Sequence, residues 1–391
     1  MNTCVVAYKF GTEKEIGEHL GTYHYFIEKM RTLVRMGHKV TVIAPWLGFF
    51  KRGSVDIDGV KVIRYYPPLH PFRWWYIKAT QKQVLRLDKE INLDVIYVWQ
   101  ARETGYAVAQ IAHRLRAPFF FRQITAWEWH FQRGMPDQKA QMKFRDAIYD
   151  KAKKIVFVSR AASEEGLRAG LSPEKIEVIG IGVDSDVFAP DEKKQPGHNL
   201  LFVGRINFAE KGIGVLLAAM AEIVKSFPDA KLTVVGGGGE IEKVKSEIER
   251  LKIDKHVILA GKKPFMELPR LINSADVFVV PSLWLEHFGQ VTIDALSCGV
   301  PVVGTNMGGT PEIITPSLSP PVSLREIGGD EVGVLIPPNN PQALAEAVQF
   351  LIANPETARK LGKAGRQRVL ENYTYEVLAN KFLEVAKNVQ R

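Results

Sequence analysis

Two carboxylates and two cations stand at spacings that could do chemistry in this chain: Glu286 with Asp294, and Arg205 with Lys211. The acids fall in VFVVPSLWLEHFGQVTIDALSCGVPVV, residues 277 to 303. Val277 to Val280 is apolar, rich in β-branched residues and closed by Pro281, the pattern of a parallel strand covered on both faces. Glu286 lies in the loop Ser282 to Gly289 that follows. From Gln290 the periodicity is helical, with Val291, Ala295 and Cys298 on one side; Gly299 ends the helix and Pro301 opens the next strand. Asp294, four residues after Gln290, shares the face of the first turn. Such positions are where open α/β sheets bind ligands. The helix N-terminus between the acids offers free N–H groups and a positive dipole end. This predicts a phosphate held between two hydroxyl-binding acids. The plain alternative is a solvated loop Glu and a surface helix Asp, and spacing alone leaves both open.

The cations fall in FVGRINFAEKG, residues 202 to 212. A strand that runs through Gly204 into a loop carrying Arg205 and Lys211 sets both at the carboxyl edge of a sheet. There a diphosphate can be gripped bidentately by the guanidinium and as a point charge by the ammonium. A second glycine run, Gly236 to Gly239, also follows a strand, though a glycine run by itself can be only a tight turn.

The elements that must position these residues alternate. Thr3 to Tyr8, Lys39 to Ala44, Asp94 to Trp99, Phe119 to Ile124, Lys154 to Ser159 and Ile176 to Ile179 read as strands, with helices at Gly21 to Met36 and Thr104 to Leu115. Val55 to Ile57 and Val60 to Tyr65 flank Asp58-Gly59, a hairpin signal. The turn-rich stretch GIGVDSDVFAPD (180–191) breaks the pattern, which restarts with strands at Leu200 to Val203, Lys231 to Val235, Val257 to Leu259, Val277 to Val280 and Val300 to Val303. Repeated strand-helix units predict the α/β class with two doubly wound parallel sheets. Pro341 to Asn354, Pro355 to Asn372 and Tyr375 to Val389 read as helices; Thr315 to Asp330, rich in Pro and Ser, reads as a surface insertion. At 391 residues, two domains are expected.

Composition narrows the class further. A chain 46% hydrophobic and 24% charged is that of a globular protein, and no apolar run approaches the 18 residues of a membrane span. The opening MNTCVVAYKFG has no basic lead and reads as a strand rather than a signal peptide. Two cysteines, Cys4 and Cys298, both in expected buried elements, point to a reducing, cytoplasmic setting. The formal charge of +9 is all carried before Asp191, which predicts an acidic partner for the first half or a solvated basic surface. His70 to Lys78, HPFRWWYIK, interleaves aromatics with cations as a membrane interface would, or as a helix start packed into the domain would. Nucleic acid is disfavoured, since no binding module is recognisable.

The order Pro281-Ser282, Glu286, Phe288-Gly289, Asp294-Ala295, Cys298-Gly299 and Pro301-Val302-Val303 resembles the nucleotide-sugar signature of the retaining glycosyltransferases of family 4. That family has the GT-B fold, two Rossmann-like domains facing each other across a cleft. Its pattern is Glu, seven residues, Glu; here the second acid is Asp294. Gly182, Val183, Asp184, Phe188 and Pro190 match its inter-domain connection. The resemblance implies an acceptor-binding domain over 1–185, a nucleotide-sugar domain over 186–372, and a helix over 373–391 crossing back to the first. It implies that Arg205 and Lys211 bind the donor diphosphate and share with Glu286 the catalytic role, that Asp294 holds the ribose, and that Gln290 and Val291 open the phosphate-facing helix end. Gly237 and Lys262 are placed near the nucleotide by the same resemblance, Lys262 by the base. Gly21 matches a first-domain loop that approaches the phosphates, where the family has paired glycines. The family's sugar-contacting histidine aligns near Ile124, where this chain has none. Arg122, Gln123, Glu128 and His130 lie nearby, and His130 is the candidate. No metal or other cofactor is expected: Asp184-Ser185-Asp186 and Asp56-Ile57-Asp58 imitate the metal motif of the other glycosyltransferase fold but lie in a connection and before a hairpin turn. The expected partners are a nucleotide-diphosphate sugar, a hydroxyl acceptor that could be lipid-linked, and an anionic inner membrane face. An epimerase of the same fold and a non-catalytic nucleotide-sugar-binding subunit are the rival readings.

Overall fold

A computed structural model describes residues 1–7, 10, 20–45, 53–65, 73–99, 102–124, 127, 137–194, 196–314 and 332–390, without the side chains of 20–23, 73 and 102. His130, His70 to Phe72 and the insertion at 315–330 lie outside the described residues. The chain divides into two compact units, Met1–Gly182 with Tyr375–Arg391, and Val183–Thr374.

The first unit holds one sheet of eight strands: β1 (Asn2–Ala7), β2 (Lys39–Pro45), β3 (Gly53–Ile57), β4 (Val60–Tyr65), β5 (Val95–Trp99), β6 (Phe119–Gln123), β7 (Ile155–Phe157) and β8 (Ile176–Val178). Their order is β3-β4-β2-β1-β5-β6-β7-β8, all parallel except the hairpin strand β3, which pairs antiparallel with β4. Parallel strands need helical crossovers, and those helices bury both faces of the central strands. Hence β1 and β5 are apolar with hardly a polar break, and Val5, Val6, Val95, Ile96 and Val98 are fully buried. The last helix, Tyr375–Gln390, belongs to this unit: Phe382 meets the Tyr97 ring edge-on at 4.9 Å, and Leu378 and Val385 join the same core. Burying a side chain of that size contributes roughly 1.5–3 kcal/mol.

The second unit holds β9 (Asn199–Val203), β10 (Lys231–Val235), β11 (Val257–Gly261), β12 (Val277–Val280), β13 (Val302–Thr305) and β14 (Gly333–Ile336), all parallel in the order β11-β10-β9-β12-β13-β14. The sequence reading lacked β14, a four-residue apolar run that follows the Pro- and Ser-rich segment. Strand β13 begins at Val302 rather than Val300, because Val300 is still bound to Ala295 in the helix-ending turn. Both Rossmann-like sheets position their loops in the same way, by setting the carboxyl ends of parallel strands along one edge.

Candidate active site in the second unit

Strand order reverses beside β9: the chain winds outward through β10 to β11, then returns to lay β12 on the other side of β9. Loops leaving β9 and β12 therefore open on one crevice, the position at which open α/β sheets bind ligands. These two loops are stitched together. Leu283 N donates to the Glu210 carbonyl at 2.8 Å, while Thr305 Oγ1, at the end of β13, holds the β12 loop by donating to the Ser282 carbonyl at 2.8 Å. Gly212 has φ 64°, and a Cβ there would lie 1.9 Å from the Pro281 carbonyl oxygen. Only glycine lets the chain after Lys211 pass so close to the end of β12.

That approach brings two of the predicted residues into contact. Lys211 Nζ pairs with Glu286 Oε1, which also accepts from Ser282 Oγ at 2.7 Å. Burial pushes the Glu286 carboxyl up, but the Lys211 charge and the two hydrogen bonds more than offset this and hold it below the usual range. Glu286 is thus an anion at neutral pH. His287 beside it is brought down to about 4, chiefly by burial and partly by Lys211, against the pull of Glu286, so it is neutral at pH 7. Arg205, half exposed, donates through Nη2 to Glu210 Oε2 at 2.8 Å. Glu210 went unremarked in the sequence; its signal was Asn207, whose side chain accepts from Glu210 N at 2.8 Å and starts the short helix Phe208–Lys211. Each cation is therefore held in the crevice by a carboxylate.

Helix Gln290–Ser297 starts at Gly289 and carries Asp294, which is buried at 3% exposure. The surface-residue alternative for Asp294 is thereby excluded. Gln290 Nε2 donates to Asp294 Oδ1 at 2.9 Å, so the shared face read from the spacing is a hydrogen bond. Burial raises the Asp294 carboxyl to about 7, against that hydrogen bond. Below about pH 4 it is protonated folded or unfolded. Between about pH 4 and pH 7 only the unfolded chain ionises, so stability falls as pH rises, by up to about 1.4 kcal/mol per unit. Asp294→Asn should flatten that decline, and denaturant unfolding at pH 4.5, 6 and 7.5 measures it. An unchanged slope would show that Asp294 ionises normally in the fold. Phe288 is buried, with its ring against Tyr373 at 5.9 Å, and Val291 is half-buried.

The glycine run does more than turn the chain. Gly236, at φ 144°, would place a Cβ 1.8 Å from the Gly204 carbonyl oxygen, and Ile206 N donates to the Gly237 carbonyl at 3.0 Å. The loops after β9 and β10 are therefore fused beneath Arg205. The Lys262 side chain lies across Gly237, whose missing Cβ would sit 3.1 Å from its methylenes. Gly308-Gly309, unremarked in the sequence, back the other side: Gly309 N donates to the Glu286 carbonyl at 2.7 Å. A Gly-Gly pair just past a strand was the available signal.

First-unit candidates stand differently. Gly21 is the second residue of helix Leu20–Arg35, not in the loop before it. Arg122 is buried and donates to the Gly180 carbonyl at 2.8 Å. Gln123 is spent in the core, donating to Glu165 at 2.7 Å and accepting from Tyr149 Oη at 2.7 Å and Trp127 Nε1 at 3.2 Å. In the helix Arg73–Glu90 the aromatic run divides: Tyr76 and Ile77 are buried, whereas Trp74 and Trp75 are 65% and 61% exposed.

Two doubly wound units of this kind have the architecture of the GT-B fold. Two family models match in succession: Glycosyltransferase Family 4 over residues 21–187 and Glycosyl transferases group 1 over residues 185–368. A glycosyltransferase of Methanocaldococcus jannaschii is 27% identical over 383 residues, 91% of each chain. The GDP-mannose-dependent alpha-(1-6)-phosphatidylinositol monomannoside mannosyltransferase of Mycolicibacterium smegmatis is 29% identical over 388 residues, 93% of this chain and 94% of that one. Among solved structures, sucrose-phosphate synthase from Thermosynechococcus elongatus superposes with TM-score 0.77 at 22% identity, covering 100% of this chain and 99% of that one. The chain belongs to the family 4 glycosyltransferases, and it is a glycosyltransferase of GT-B fold.

Proposed function

We propose that the protein moves a hexose from a UDP- or GDP-linked sugar to a hydroxyl acceptor with retention at the anomeric carbon and without a metal. The Lys211–Glu286–Ser282 cluster at the crossing point of the second sheet carries this reading. In it, Arg205 and Lys211 take the diphosphate, Lys211 turning from Glu286 to phosphate as the donor enters, and the N-terminus of helix Gln290–Ser297 faces the same charge. Glu286, released but anionic, accepts hydrogen bonds from sugar hydroxyls. Asp294 accepts from the ribose, and Gly237 and Lys262 border the base. The acceptor oxygen attacks the anomeric carbon on the face the diphosphate is leaving. The bond from that carbon to phosphate oxygen breaks, and the departing phosphate takes the acceptor's proton. The two cations stabilise the charge that develops, an effect worth roughly 10² to 10³ in rate per preorganised donor. Nothing in this sequence of events calls on a protein nucleophile.

The acceptor side falls to the first unit, which carries the excess positive charge and the exposed Trp74 and Trp75. An acceptor linked to lipid at an anionic cytoplasmic membrane face suits that surface, and the mannosyltransferase relative is named for phosphatidylinositol monomannoside. No helix of the described residues is long and apolar enough to cross a membrane, so such attachment would be peripheral.

The test is turnover of a panel of nucleotide sugars with and without membrane-extracted acceptor, each with and without EDTA. Nucleotide release that requires acceptor and survives EDTA is expected. Epimerised donor without acceptor, or activity lost in EDTA and restored by a divalent ion, contradicts the reading.

A further inference from the structure

The first unit contains a cavity of about 600 Å³ between the β3–β4 hairpin and the helix Arg73–Glu90. Lys61 and Arg64 of β4 line it from the sheet, and Lys82 and Arg86 line it from the helix. The one carboxylate among its described lining residues, Glu90, stands 3.6 Å from Arg86. Arg64 is buried at 7% exposure, so part of this charge sits where water screens it least. Gln83 lines the same cavity with a buried side-chain oxygen that has no hydrogen-bond partner among the described residues. Four cations against one acid give this cavity a positive lining, the electrostatic complement of an anion.

We propose that this cavity binds a phosphoryl group. Its size exceeds a single phosphate, and the orphaned Gln83 oxygen calls for a hydroxyl donor on the same ligand, as on a phosphorylated polyol or sugar. Two sources share that chemistry: a soluble phosphate ester and a phospholipid headgroup. Trp75, exposed seven residues before Lys82, lies roughly 10 Å along the same helix, and Lys78 sits 5.8 Å over the Trp74 ring. Those indoles are where acyl chains would meet a ligand whose headgroup fills the cavity. The inference deepens the acceptor-side reading above but rests on different residues from the donor site.

Lys82→Gln with Arg86→Gln tests it in the full chain, since both residues are exposed. Lys139→Gln with Lys143→Gln, exposed on another helix of the same unit, removes the same charge elsewhere. Pyrophosphate and glycerol 3-phosphate are titrated by calorimetry, and vesicles of phosphatidylcholine with and without phosphatidylinositol are cosedimented, at about 0.15 M salt to suppress diffuse attraction. The cavity variant should lose at least tenfold in affinity for whichever probe the wild type binds, and the control variant less than twofold. Loss with the soluble esters assigns a soluble ligand, and loss with vesicles alone assigns a headgroup. Equal loss in both variants, or a wild type that binds none of these probes, overturns the proposal. Nucleotide binding is followed in parallel: it is unchanged in the cavity variant, so a failed donor site and a failed cavity give different results.

Discussion

Glu286→Ala should lower the rate of sugar transfer by roughly 10² to 10³ while leaving the affinity for bare nucleotide unchanged or higher. The asymmetry follows from the pairing. Glu286 is the partner of Lys211, so its removal frees that cation for the diphosphate. What is lost is the anion proposed to meet the transferring sugar, an interaction that would matter in the transition state and not in nucleotide binding. Glu286→Gln separates charge from shape. It keeps a hydrogen-bonding group beside Ser282 and should recover binding geometry without recovering the rate. Single-turnover rates with saturating donor, beside calorimetric affinities for the free nucleotide, decide the matter. Equal losses in both quantities would make Glu286 a structural anchor for Lys211 and nothing more.

The second large effect is on the fold of the site. Gly236→Ala forces a Cβ to within 1.8 Å of the Gly204 carbonyl oxygen at φ 144°, so the β9 and β10 loops must part. Backbone strain of about 1–3 kcal/mol and overpacking of about 1–3 kcal/mol together would lower the melting temperature of the second unit by roughly 10 °C. Nucleotide binding should be lost with it, since Arg205 leaves from that junction. Gly239, three residues on, has nothing within 4 Å of its would-be Cβ, and Gly239→Ala should be close to neutral. Calorimetric melting of both variants checks this; equal stability of the two would show that the run is only a flexible turn.

The sequence made the fold legible where apolar runs were bounded by glycine or proline, as at Val277 to Val280 before Pro281. It was silent on β14, because a four-residue run such as Gly333–Ile336 is too short to be told from buried loop. In the site, Glu286, Lys211 and Arg205 were each legible from their place after a strand. That Lys211 reaches Glu286 was not, because it depends on Gly212 passing under Pro281, a contact 69 residues apart in the chain. Asp294 could be read as an acid on the right face but not as a buried one, since periodicity gives direction and not depth. Glu210 and Gly308-Gly309 escaped because they act through backbone and partner rather than through a motif. The Trp74-Trp75-Tyr76-Ile77 run shows the reverse: four adjacent apolar residues on a helix cannot all face the core, and the structure puts the first two outside.

The proposed donor site depends most directly on a diphosphate held by Arg205 and Lys211. Wild-type protein and the Arg205→Ala, Lys211→Ala double variant are titrated with UDP, GDP and ADP while thermal stability and binding heat are followed. At about 100 times its dissociation constant the preferred nucleotide should stabilise the wild type by about 2.7 kcal/mol. In the double variant its affinity should fall at least tenfold, as expected for loss of charge-assisted hydrogen bonds of about 1.5–3 kcal/mol each. A wild type that none of the three stabilises, or a double variant that binds as tightly, would contradict the assignment of this crevice to a nucleotide-sugar donor.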